Sequence, residues 1–176
     1  MSDGDLERWM LRLREGDLTA LEHIYGDMRL AVYATALAVT ANHAVAEDVT
    51  QEVFVRIFAR ARQYRPGTSP RAWIVAIARN LARAHVRTRK RESTAPDPDG
   101  IGAIAPESES TGQRMDLVNA LLRLKPAERE IVVLHDVAGF THAEIATALR
   151  LPPGTVRWKY RVAVGRLRES LSVEIT

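Results

Sequence analysis

The sequence predicts an all-α protein of two small helical domains joined by a flexible acidic linker, with helix-turn-helix punctuation in the second. Three observations predict it. Apolar residues recur at intervals of three and four rather than two, so helical periodicity dominates and no strand pattern competes. Charge divides the chain into three blocks: residues 1–91 hold 15 Lys and Arg against 10 Asp and Glu, residues 92–112 hold none against 5, and residues 113–176 hold 10 against 7. The acidic block is also the richest in Pro, Gly and Ser, the composition of a tether between folded units. We therefore expect domains at 1–91 and 113–176 with a linker at 92–112.

Each element has a local reason. A short leading helix covers about Leu6 to Leu13. Asp17 is a candidate N-cap for a helix to about Val39, with Leu21, Ile24, Tyr25, Met28 and Val32 on its apolar stripe. A second long helix runs from about Ala44 to Gln63, its stripe built from Val45, Val49, Val53, Ile57 and the neighbouring Phe54 and Phe58. Ser69-Pro70 then supplies a cap followed by proline at the first helical position, opening a helix through Trp73, Ile74, Ile77 and Leu81 to about Lys90. Beyond the linker, helices are expected near 114–123, 126–137, 142–149 and 155–171.

Composition excludes several classes of chemistry. The 176 residues include no cysteine, which removes disulfides, thiolate metal sites and thiol nucleophiles and makes the cytoplasm the expected compartment. The longest apolar run, Leu30 to Val39, is well short of the roughly 20 residues that span a bilayer, and the acidic start of the chain lacks a signal-peptide pattern. No membrane insertion is expected. Histidines 23, 43, 85, 135 and 142 are scattered, with no pair at ligand spacing on one helix. There is no HExxH, glycine-rich phosphate loop or serine-nucleophile motif, and Glu128 and Glu130 are two apart and so face different ways. We expect no catalytic residues, no metal and no cofactor.

The positive charge is concentrated instead. Only Lys90, Lys125 and Lys159 are lysines, so guanidinium groups, which bind phosphate and guanine edges bidentately, carry nearly all of it. At 100° per residue, Arg79, Arg83, Arg87 and Lys90 fall within an arc of about 80° and form a basic ridge. Like charges at this spacing repel unless an anion lies on them, and phosphate is the anion that fits. The competing reading is a solvated arginine face. Tyr64 to Pro70, just upstream, is a turn-rich loop with an aromatic root and hydroxyls at its tip. Aromatics beside a basic ridge suit unstacked bases of a single strand. Core packing is the alternative for Tyr64 and Trp73, since Trp73 continues the Ile74 and Ile77 stripe.

The second signal lies near the C-terminus. Thr141-His142-Ala143-Glu144 reads as a capping box; Arg150-Leu151-Pro152-Pro153-Gly154 ends the short helix, and Thr155 opens the next. Short helix, tight turn and basic helix in this order form a helix-turn-helix. On the last helix Val156, Tyr160, Ala163 and Leu167 share an arc of about 60°, whereas Arg157, Trp158, Arg161 and Arg168 lie opposite. One face packs while the other is free to enter a major groove; a plain bundle helix is the competing reading.

Together these residues resemble the extracytoplasmic-function (ECF) group of the sigma-70 family of bacterial RNA polymerase sigma factors, over nearly the whole chain. Ala46 to Phe58 resembles the family's core-polymerase-binding segment, Trp73 to Asn80 the start of its minus-ten reading and melting helix, and Glu144-Ile145-Ala146 with Gly154 to Arg157 and Arg166-Leu167-Arg168 its minus-thirty-five helix-turn-helix. The resemblance implies a transcription initiation factor that binds core RNA polymerase, promoter DNA as duplex and as melted nontemplate strand, and, as many members do, an anti-sigma factor. It implies docking on the polymerase clamp coiled coil by Asp48, Gln51, Glu52 and Val55, which lie three and four apart; a solvated acidic face is the competing reading. It implies DNA contacts from Tyr64, Ser69 and Trp73 at the loop, from Arg79, Asn80, Arg83, Arg87 and Lys90 on the ridge, and from Thr155, Arg157, Trp158, Lys159 and Arg161 on the last helix. Val162 and Trp158 depart from the family's usual basic and small residues there.

Two rivals use some of the same features. A helix-turn-helix regulator acting without being a polymerase subunit would need no arginine ridge beside an aromatic loop, and a nuclease would need clustered acids or histidines. The linker's 21 residues reach about 70 Å at most but average about 25 Å as a flexible coil. Promoter elements one to two helical turns apart therefore require it to be drawn out. Its five acids are expected to act as a tether, to mask the ridge in the free protein, or to line a basic channel on the polymerase.

Overall fold

A computed structural model describes residues 2–92 and 112–173 as helices joined by short turns, with no strand among them. The chain divides into two compact units, Met1–Pro96 and Asp97–Thr176. The expected linker at 92–112 falls, apart from the helix-terminal Glu92 and Gly112, outside the described residues.

The first unit contains α1 (Asp3–Arg14), α2 (Thr19–Thr40), α3 (His43–Arg60) with a 3-10 turn at Ala61–Gln63, and α4 (Pro70–Glu92). Helix α1 carries Asp3 and Asp5 in its first turn and Arg12 and Arg14 in its last, and both pairs complement the helix dipole. Helix α2 lies at the centre and packs against all three others. The expected stripe holds for Ile24, Met28 and Val32, which are fully buried with Leu6 and Met10 of α1, Val49, Val53 and Ile57 of α3 and Ile74 of α4. Tyr25 and Phe58 are exceptions, lying on the exposed edges of their helices. Tyr25 covers Phe54 with ring centroids 4.7 Å apart.

The helix boundaries follow their caps. The regular hydrogen bonds of α2 begin at Thr19, but Leu18 already has helical dihedrals, so the helical backbone starts directly after Asp17. Asp17 does the capping work: its Oδ1 accepts from the Thr19 amide at 3.0 Å and its carbonyl accepts from the Ala20 amide. Helix α2 ends on Ala41 at φ 52, and Asn42 caps α3 by accepting from the Val45 amide at 3.0 Å. Ser69 caps α4 as expected, its Oγ accepting from the Ala72 amide at 3.2 Å.

The second unit contains α5 (Gly112–Arg123), α6 (Pro126–Val132), a π-helical turn at Val133–Val137, α7 (His142–Leu149) and α8 (Pro153–Val173). Its core joins Ala120, Leu124, Val132, Ala163 and Leu167, flanked by Leu121, Tyr160 and Leu171. Glu128 and Arg129 are buried beside it. Glu128 Oε2 accepts from Arg166 Nη1 at 2.6 Å, and Arg129 Nη1 donates to the Leu122 carbonyl at 3.1 Å. The expected helix at 126–137 widens in its final turn. There the Ala138 amide reaches the Val133 carbonyl and the Phe140 amide the Leu134 carbonyl, with Gly139 at φ 77 completing the exit.

The helix-turn-helix has the expected capping box: Thr141 Oγ1 accepts from the Glu144 amide at 3.3 Å, and Glu144 Oε2 accepts from the Thr141 amide at 2.8 Å. Two details of the turn differ from expectation. Its left-handed residue is Arg150, at φ 55, and not Gly154, which lies inside the first turn of α8. Helix α8 begins at Pro153 rather than Thr155, because Pro152 leaves its carbonyl to accept from the amides of Thr155 and Val156.

Candidate nucleic-acid and partner interfaces

The first candidate surface is the outer face of α3. Asp48, Gln51 and Val55 are exposed, Val55 to 65%. Phe58, half exposed one turn on, extends this surface toward α4's loop; periodicity alone assigned it to the core. Glu52 differs from its neighbours. Its Oε1 accepts from Arg56 Nε and Nη2 at 3.0 and 2.6 Å, and its Oε2 lies 3.3 Å from His85 Nε2 on α4. Burial pushes its carboxyl upward, but the Arg56 and His85 hydrogen bonds and charges outweigh that and hold it below its ordinary range.

The second surface is the loop from Tyr64 to Pro70 with the outer face of α4. Two of its expected contacts are corrected by burial. Tyr64 is 1% exposed, with its hydroxyl donating to the Thr68 carbonyl at 2.6 Å and its ring edge-on to Trp73. It anchors the loop and has no free ring face for a base. Arg79 is 9% exposed, because it follows Val75 around the wheel toward the side that packs inward. Trp73 is half-buried, as is Ser69, whereas Asn80, Arg83, Arg87 and Lys90 are exposed. The ridge that faces outward therefore begins at Asn80 and Arg83. The loop itself is drawn tight by Gly67, at φ 80, and by Thr68, whose hydroxyl donates to the Arg65 carbonyl at 2.7 Å.

The third surface is α8. Val156 and Ala163 are fully buried and Leu167 nearly so, which turns Arg157, Trp158 and Arg161 outward. Trp158 is 54% exposed, and Lys159 Nζ sits 5.7 Å from its ring centroid, over one face. Lys159, Thr155 and Val162 are half-buried at the margins of this face. Trp158 is thus the departure that alters the exposed surface, and Val162 alters it less.

Behind α8 the fold assembles a group that sequence spacing did not suggest. His135 from the π turn stacks on His142 from the first residue of α7, centroids 4.5 Å apart, and both rings meet Tyr160 of α8. Asp136 Oδ1 receives the Tyr160 hydroxyl at 2.9 Å and lies 2.7 Å from His135 Nδ1. His142 Nε2 is buried without a hydrogen-bond partner. Burial first, then the charges of His135 and Arg157, pull the His142 imidazole below its ordinary value, against the opposing effect of Asp136. No set of three or more His, Asp or Glu side chains among the described residues is arranged to hold a metal. No helix among them is long and apolar enough to cross a membrane.

Comparison with known proteins places the chain in a family. The Sigma-70 region 2 profile matches residues 24–92, and the Sigma-70 region 4 profile matches residues 114–165. RNA polymerase sigma factor CarQ of Myxococcus xanthus is 31% identical over 169 residues, covering 92% of this chain and 95% of CarQ. ECF RNA polymerase sigma factor SigE of Mycolicibacterium smegmatis is 36% identical over 148 residues, 80% of this chain and 57% of SigE. The chain is an ECF sigma factor of the sigma-70 family. The sigma factor RpoE of Bartonella quintana, solved in complex with the anti-sigma factor NepR, matches with a TM-score of 0.70 at 26% identity, over 86% of this chain and 96% of that one. As a sigma factor the protein is a transcription initiation factor that binds core RNA polymerase and directs it to promoters. Its family is one of initiation factors and not of enzymes, and the stand-alone regulator reading is set aside. In this sigma factor α2 to α4 carry region 2, α5 to α8 carry region 4, and α1 precedes the region 2 match.

Proposed function

We propose how the labour is divided among the three surfaces. Region 2 docks on the polymerase clamp coiled coil through Asp48, Gln51 and Val55, with Phe58 extending the apolar contact and Glu52 fixing α3 to α4. The loop from Tyr64 to Pro70 receives an unstacked base of the melted nontemplate strand, Trp73 lining its root and Ser69 its rim. Asn80, Arg83, Arg87 and Lys90 hold the sugar-phosphate backbone beside it. In region 4, α8 enters the major groove of the upstream element with Arg157, Trp158 and Arg161 toward the base edges, and Thr155 and Lys159 toward the flanking phosphates.

The observation that carries this reading is the split of α8 into a buried Val156, Ala163 and Leu167 face and an outward face bearing Arg157, Trp158 and Arg161. An α-helix about 10–12 Å across fits a major groove about 12 Å wide, and outward arginines are the side chains that pair bidentately with guanine. The stretch at 92–112 serves as the tether between the two DNA-reading units. Because both partners reside with the chromosome, the cytoplasm is the compartment. An anti-sigma factor belongs among the proposed partners, and the exposed Val55 and Phe58 are surface it would cover in competition with polymerase.

The test is reconstitution with purified core polymerase on a promoter library, with start sites mapped. New start sites that depend on the protein are expected. Their absence, with core polymerase shown to be active with another sigma factor, overturns the reading.

A further inference from the structure

The base-receiving loop is held from outside by a helix that lies beyond the region 2 match. Between its own residues the loop forms few backbone bonds: the Thr68 amide reaches the Arg65 carbonyl at 3.3 Å. Its tip instead turns to α1. Glu7 Oε1 accepts from the Gly67 amide at 2.6 Å and lies 3.4 Å from the Tyr64 hydroxyl, whose proton goes to the Thr68 carbonyl, so the carboxylate bonds the loop's tip and sits beside its root. One turn earlier on α1, Asp3 Oδ2 accepts from Ser69 Oγ at 2.9 Å and Asp3 Oδ1 from Arg71 Nε at 3.3 Å. Arg71 also reaches Asp27 Oδ2 on α2, at 3.4 Å.

Asp3 and Glu7 are four residues apart and therefore share one face of α1. The adjoining face carries Leu6, Met10 and Leu13, all buried, so the helix presenting the carboxylates is seated in the core. Gly67, whose amide Glu7 receives, has the left-handed backbone that a tight loop tip requires. A bond from an amide to a carboxylate is among the stronger hydrogen bonds and persists at an exposed site better than a neutral one.

We propose that α1 is a positioning element for the promoter-reading loop: Glu7, with Asp3 behind it, holds Gly67 to Ser69 in the one conformation that discriminates among bases of the melted strand. The inference rests on the reading that this loop receives a base. Glu7 is a positioning residue in it. Its carboxylate does not touch the strand's phosphates, which it would repel; it acts by fixing where the loop's own hydroxyl and amide groups point. Without it the loop still exists, rooted by Tyr64, but samples several tip conformations and accepts bases less selectively.

The experiment uses the full-length protein as holoenzyme with core polymerase. The probe is a fluorescent fork-junction DNA whose nontemplate strand is single-stranded across the minus-ten element, each position carrying each of the four bases in turn. With Glu7→Ala, discrimination at one position of the strand is expected to fall by about tenfold, the worth of one charge-assisted hydrogen bond. Core-polymerase association and binding to duplex carrying only the upstream element are expected to stay at wild-type levels. Glu7→Gln, which keeps a carbonyl acceptor for the Gly67 amide, is expected to restore most of the discrimination. Unchanged discrimination in Glu7→Ala overturns the proposal, as does a loss equal for all four bases that Glu7→Gln shares. If circular dichroism shows that Glu7→Ala is unfolded, Asp3→Ala decides on the same two criteria. If wild-type holoenzyme distinguishes no bases at any position of the probe, it is the base-receiving role of the loop that fails.

Discussion

Glu52 on α3 and His85 on α4 meet at 3.3 Å between Oε2 and Nε2, while Arg56 takes the other oxygen of the same carboxylate. The proposed docking face of α3 and the basic helix α4 are thus stitched by one side chain. This separates residues that contact a partner from one that holds the surface in place.

For polymerase docking, Val55→Glu is expected to weaken association with core enzyme by roughly 30-fold, the effect of losing an interface residue worth about 2 kcal/mol. Helicity should be unchanged, because Val55 is exposed. Asp48→Lys should act in the same direction. Glu52→Lys should in addition lower thermal stability by about 1 kcal/mol, since it places a cation against Arg56 and His85. Co-purification with core polymerase, paired with circular dichroism, reads both effects; wild-type association in Val55→Glu would remove α3's outer face from the interface.

DNA contacts of two kinds should separate by salt. Arg83→Ala is expected to weaken binding to every promoter alike and to reduce the slope of log affinity against log salt by about 0.9. Arg157→Ala is expected to cost about 1–3 kcal/mol on the cognate upstream element and to relax base preference there. Titrations at several salt concentrations on cognate and scrambled duplexes distinguish them, and equal loss on both duplexes in Arg157→Ala would contradict groove reading.

His142 is expected to make region 4 less stable in acid. The folded state holds His142 below its ordinary 6.5, so the unfolded chain binds the proton first as pH falls. The stabilisation is complete above about 6.5 and is lost as pH drops from there toward the folded value. Protection factors of the α7 and α8 amides in the full-length protein, which divide out the intrinsic slowing of exchange at lower pH, should fall from pH 7.5 to pH 5.5, and His142→Phe, which keeps the stack on His135 and Tyr160, should flatten that dependence. Identical pH profiles in the two proteins would show that His142 is not responsible.

The turn of the helix-turn-helix carries a conformational cost in Arg150, a non-glycine residue at φ 55. Arg150→Gly is expected to stabilise region 4 by about 0.5–1 kcal/mol, whereas Thr141→Ala, which removes half of the capping box, should cost about 1 kcal/mol. Denaturant midpoints of the two variants should move in opposite directions.

What the sequence by itself determined is what neighbours within one turn decide. Helical periodicity, the Ser69 cap, the Thr141–Glu144 box and the two faces of α8 all depend on residues one to four apart, and each stands where it was expected. The three surface motifs were legible for the same reason, since a helix sets the relative directions of residues 48, 51 and 55, or 83, 87 and 90, without reference to the rest of the chain. Only the tertiary structure decided which of those directions is outward at the margins. Arg79 and Tyr64 belong to the expected DNA-contact motifs yet are buried, and Phe58 belongs to a core stripe yet is exposed, because the edge of a buried face is drawn by the neighbouring helix and not by the helix itself. The longer links were beyond any local pattern. Glu7 bonds to Gly67 across 60 residues, and His135 in the π turn stacks on His142 across the break between that turn and α7, so both pairings join separate elements and neither is set within one helix.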